Sequence, residues 1–170
     1  MATISPLYGS NTAITMDLAN LGSSSTLVAG RESSQIDNTS TLYVDAIVNG
    51  FVSVGTSPVS NTVINVYAWG SYVSLATTPI DVLDGTDSAE TLTNTGVLYA
   101  LAPIASILVP ATTSDVQYPV VAKSICYALQ VPVLPKFWGL FVAHNTGVNL
   151  RNNSVNTNSF TFFGVNYTVA

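Results

Sequence analysis

Hydrophobic residues in this chain recur at every second position over long stretches, and that period limits the fold more than any other feature. Residues 38–48 read NTSTLYVDAIV. Leu42, Val44, Ala46 and Val48 fall on one side, continued by Val52 and Val54, while Tyr43, Asp45, Ile47 and Asn49 fall on the other. An apolar face backed by a mixed face marks a half-buried strand. The run VINVYAWG at 63–70 repeats the pattern, with Ile64, Val66 and Ala68 facing one way. Gly55, Ser57, Pro58 and Asn61 supply a turn between the two, so they are expected as antiparallel neighbours.

The same period predicts further strands at 104–109, closed by Pro110, and at 120–131, broken by Pro132. At 137–144, Trp138, Leu140 and Val142 share a face, and at 160–169 Phe163, Val165, Tyr167 and Val169 do. Gly164 within the last strand indicates a bulge or a close backbone approach. A 3.6-residue stripe with caps is found nowhere; residues 12–21 are the best place for a turn or two of helix. Many short strands separated by turn signals predict an all-β fold, an antiparallel β-sandwich of jelly-roll type. The first 30 residues are rich in Ser, Thr, Asn and Gly and weakly patterned. They are read as an extended N-terminal arm preceding a sandwich domain over 31–170, with a simple disordered tail as the alternative.

The chain has 170 residues, 48% of them hydrophobic, enough for one domain with a sizeable core. Charged residues are only 8%, against about 25% in ordinary soluble domains. Hydroxyl and amide side chains take their place, a surface suited to dense packing against neighbours. The four cations, Arg31, Lys123, Lys136 and Arg151, are scattered. Nucleic-acid binding needs them clustered, so that class is rejected. The longest apolar stretch, 97–111, is interrupted by Pro103, Ser106 and Pro110 and is shorter than the ~20 residues of a membrane span. The start of the chain lacks the pattern of a signal peptide, and the sequons at Asn38, Asn152 and Asn166 are read as products of composition. One cysteine, Cys126, precludes an internal disulfide and suits a protein made in a reducing cytoplasm.

Chemistry has few places to reside. His144 is the only histidine, and no Gly-x-Ser-x-Gly elbow accompanies it, so it reads as a strand-end residue rather than a catalytic base. Cys126 sits among apolar neighbours and reads as a small buried hydrophobe. Asp81, Asp84, Asp87 and Glu90 form the densest acidic run, without EF-hand spacing, and read as a solvated loop with no metal. Trp69 and Tyr67 lie opposite Ile64 and Val66; cover by a second sheet or a partner is favoured over exposure. The expectation is a protein that is not an enzyme and carries no cofactor.

Five segments in order resemble a family of small tailed-bacteriophage virion proteins: GRESSQIDNTSTLYVDAIV (30–48), TVINVYAWGS (62–71), DGTDSAETLTNTGVLYAL (84–101), VLPKFWGLFVAHNTGVNL (133–150) and FFGVNYTV (162–169). The match departs at Asn49-Gly50-Phe51, in the Asn-rich 152–158 stretch and in the first 25 residues. The resemblance implies a jelly-roll decoration or cement protein on the outer surface of the phage head. Its partners would be the major capsid protein and neighbouring copies of itself, with neither nucleic acid nor membrane involved. A tail- or fibre-associated adhesin or a sugar-binding β-sandwich is the alternative, and a hydrolase with a hidden carboxylate pair ranks last. Arg31 and Glu32, adjacent opposite charges where arm meets domain, are the expected partner contact.

Overall fold

The computed structural model describes residues 3–152 and 157–169, and the sequon beginning at Asn152 runs into the stretch outside them. Two antiparallel sheets pack face to face, which makes the chain all-β and a β-sandwich. The first sheet is built from β1 (Ile4–Ile14), β10 (Ser159–Val169), β4 (Asp45–Ser53) and β8 (Gln117–Ser124), in that order. The second runs β6 (Ser88–Thr91), β2 (Ala29–Glu32), β9 (Phe137–His144), β5 (Thr62–Ser71), β7 (Ala102–Val109), with the short β3 (Ile36–Asp37) beside β9. Two short helices complete the chain, α1 (Thr95–Ala100) and α2 (Ile125–Leu129).

The core between the sheets is the face that alternation selects. Val48, Val52, Ile64, Val66, Leu140 and Val142 are buried there, with Trp138 and Phe162 edge to face at 5.1 Å. Leu42, expected at the start of that face, is 69% exposed and has φ +52°. The cause is Asn38, whose side-chain oxygen accepts the Tyr43 N–H at 2.8 Å and the Thr41 hydroxyl at 2.9 Å. Asn38 thereby folds 38–43 into a loop and delays the strand to Asp45.

Three expectations are corrected. The strands at 45–53 and 62–71 are not paired: β4 lies between β10 and β8, and β5 between β9 and β7. Their connection crosses from one sheet to the other, tied by Gly55 N–H to the Asn149 carbonyl and Val59 N–H to the Thr146 carbonyl. Residues 125–129 are helix rather than strand. The Ser124 hydroxyl accepts the Tyr127 N–H and Asp45 accepts the Cys126 N–H, capping a turn that Gln130 ends at φ +55°. Residues 12–21 hold no helix: they finish β1 and then run irregularly.

The expected arm is largely built into the body. Ile4–Ile14 pair with β10, and Ile14, Met16, Leu18 and Leu21 are buried in the core. The sequence signal is weak because β1 sits at the sheet edge, is exposed along nearly its whole length and has no period-2 apolar face. A second apolar layer lies on the far side of the second sheet. There Trp69, Phe141 and Ala143 are covered by Leu75, Leu83, Leu92 and Leu101 from the segment 72–101.

Candidate functional site

The outward face of the first sheet carries a run of exposed apolar side chains. On β10, Phe160 and Phe162 point inward and Phe163, Val165, Tyr167 and Val169 share the other face, where Val165 is buried, Phe163 half-buried, and Tyr167 and Val169 exposed. Register places Ile4 opposite Val169, Pro6 opposite Tyr167 and Tyr8 opposite Val165. Ile4 is 69%, Tyr8 61%, Tyr167 65% and Val169 68% exposed. Further across, Phe51 on β4 faces Pro119 on β8, and Phe51 and Val121 are both exposed.

The pairing of β10 with β4 ends at Val165 and Asp45, whereas its pairing with β1 continues to Val169 and Ile4. Residues 4–7 and 166–169 therefore form a two-stranded ribbon with no third strand beside it among the described residues. Leu7, on the ribbon's other face, is 55% exposed. A lone two-stranded ribbon is marginal in water, and an extended apolar face is characteristic of an interaction surface. Covering one such side chain, already roughly a third buried, adds about 1–2 kcal/mol. Near its root the ribbon is anchored by Tyr43, whose ring lies flat on Gly164; a Cβ there meets the ring carbons. This is the close approach that Gly164 signals.

Arg31 and Glu32 turn to the chain's own 84–87 turn. The Arg31 guanidinium meets the Asp87 carboxylate at 2.6 Å and the Asp87 carbonyl at 2.9 Å. Glu32 is fully buried and accepts the N–H groups of Asp84 and Gly85, each at 3.0 Å. Sequence adjacency of opposite charges gives no sign of either partner.

The other candidate residues are each committed to the chain. His144 is buried; its Nε2 lies 3.1 Å from the Leu21 carbonyl and its Nδ1 2.9 Å from the Thr146 hydroxyl. Burial lowers its pKa, so the ring is neutral, and Nε2–H is the donor to Leu21. The Cys126 thiol donates to the Val44 carbonyl at 3.1 Å, and burial, with Asp45 nearby, pushes its pKa up to about 12. A thiol so placed is a poor nucleophile. Asp81 binds Thr93 and Asn94, Asp84 binds Thr86, and Glu90 accepts from Ser88. Among the described residues no three His, Cys, Asp or Glu side chains are grouped to hold a metal ion.

Concavities are also present among the described residues, one of about 390 Å³ beside Leu42, Val133 and Lys136. A cavity of about 310 Å³ is lined by Gln35, Asn38, Tyr43, Trp138 and Phe162. Its amides are engaged: Asn38 with Thr41 and Tyr43, and Gln35 with Ser74 and Leu75. An open groove of about 1150 Å³ runs between β7, β8 and α2, lined by Ile104, Lys123, Cys126, Tyr127 and Val131. It is apolar with one cation and holds no converging set of catalytic groups. Trp69 is 2% exposed, buried by the chain's own 72–101 segment rather than by a sheet or a partner.

A scan against protein-family models finds no match, and searches of curated proteins and of solved structures find none either.

Proposed function

We propose that this chain is a structural virion protein, a jelly-roll decoration or cement protein that binds the major capsid protein shell of a tailed phage. Copies would pack beside one another on the outer surface of the head. The observation that carries the reading is the row of exposed apolar side chains on the outward face of the first sheet with its projecting ribbon, in a chain only 8% charged. An extended face of exposed apolar side chains matches a protein surface better than it matches a small solute. A protein that binds only the assembled shell stabilises it by mass action. The engaged amides of the 310 Å³ cavity weigh against the sugar-binding alternative.

The test uses heads purified without this chain and two variants, Phe51→Asp and Tyr167→Asp. Both positions are exposed, so the isolated fold should hold within about 0.5 kcal/mol. A carboxylate forced into a covered apolar contact should weaken capsid occupancy by at least about tenfold. Full occupancy by both variants at the wild-type concentration overturns the reading. A chain found only at the tail, in a few copies, supports the adhesin.

A further inference from the structure

The segment 72–101 covers Trp69 and Phe141, and its central turn is fastened to β2. Two successive N–H groups, of Asp84 and Gly85, each donate to one oxygen of Glu32 at 3.0 Å. Gly85 has φ +82°, a left-handed conformation that lets consecutive amides converge on a carboxylate. Gln35 adds two ties: its N–H donates to the Gly85 carbonyl and its side-chain oxygen accepts the Leu75 N–H, both at 2.8 Å.

Glu32 is 0% exposed, and its charge has no cationic hydrogen-bond partner. Arg31, next along the strand, is occupied by Asp87. The ionisable groups facing Glu32 are Asp84 from the turn and Glu90 from β6, both acids. From β9 it meets Phe141, while His144 of that strand bonds to Leu21 and Thr146. Burial above all, with the two acids adding to it, pushes the Glu32 pKa up to about 7 against the opposing pull of the two N–H bonds.

We propose that Glu32 is a pH-dependent latch, holding the 72–101 segment closed while it carries a proton and loosening it on ionisation. Protonated, it is uncharged and its carbonyl oxygen still accepts one of the two N–H bonds. Ionised, it is a buried charge beside two acids, and opening the segment admits water to it. The sign follows from the direction of the shift. A carboxyl whose folded pKa is raised stabilises the closed state fully below its ordinary value of 4.5, and this contribution is lost as pH rises to about 7. Within that window the open population grows by up to about tenfold per pH unit and then levels off. Opening bares Trp69 and Phe141, so the latch governs whether a second apolar surface is displayed.

Amide hydrogen exchange of the full chain, corrected for the intrinsic chemical rate, tests this across the same window and above it. Peptides from 72–92 should lose protection with rising pH and then plateau, while those from β4 and β9 should not show the step. Glu32→Gln should abolish the step. A flat wild-type profile, or the same step in Glu32→Gln, overturns the proposal. Should the variant fail to fold, carbon-13 titration of the wild type decides, since the chain has only two glutamates, Glu32 and Glu90. A carboxyl titrating together with the exchange step supports the latch; two midpoints near 4.5 overturn it.

Discussion

Trp138 shows what a single residue reveals and conceals. Its alternation with Leu140 and Val142 marks it as inward, and it is fully buried, edge-on to Phe162. Replacing it with alanine removes the largest side chain of the inter-sheet core and leaves a cavity that strands cannot close. Trp138→Ala should lose about 3–5 kcal/mol, measured as a fall in the denaturant midpoint at unchanged slope. An unchanged midpoint would show that this face does not carry the core. Trp138→Phe should lose less, because it keeps an aromatic ring and deletes an indole N–H that has no acceptor among the described residues. Period 2 reveals which side of a strand a residue occupies, but not what lies on that side. Trp69 faces away from the inter-sheet core, and nothing local says that Leu75 and Leu83 will cover it. Glu32 is less legible still, because its partners are backbone amides 52 and 53 residues along the chain.

At the scale of elements, β1 separates two kinds of N-terminal truncation. Residues 4–7 belong to the ribbon and 4–9 are largely exposed, so removing residues 1–9 uncovers little of the core. Removing 1–28 also deletes Ile14, Met16, Leu18 and Leu21, four buried side chains, together with the Ser24 N–H bond to the His144 carbonyl. At roughly 1.5–3 kcal/mol for each apolar side chain, that loss approaches the whole stability of an ordinary domain. The short deletion should therefore melt within a few degrees of wild type while weakening assembly, and the long one should not fold cooperatively. Circular dichroism melts of both decide it; a cooperatively folded 29–170 fragment would contradict the packing of 14–21. Strand content was legible because alternation is local. Pairing was not: β4 and β5 follow each other in sequence, yet the connection 54–61 carries the chain to the opposite sheet. The end of β8 was missed for a related reason, since α2 is capped partly by Asp45, a residue 81 positions away from the Cys126 amide it receives.

For the whole molecule, charge scarcity and shape together decide how association responds to its surroundings. Two of the four cations are in ion pairs, Arg31 with Asp87 and Arg151 with Asp115. The outward face of the first sheet presents Ile4, Tyr8, Phe51, Val121, Tyr167 and Val169, none of them charged. Binding through such a face rests on removing apolar surface from water, which has no charge for salt to screen. Salting-out anions strengthen that term rather than weaken it. On the proposed function, the affinity of this chain for phage heads should therefore change by less than about threefold between dilute buffer and half-molar sodium chloride, and should rise in sulfate. Sedimentation of chain with purified heads across a salt series measures it directly. A steep loss on adding salt, more than about tenfold, would be the behaviour of charge-steered contacts. It would move the interface away from the first sheet and toward the acid-rich 81–90 turn, whose carboxylates are the densest charge in the sequence.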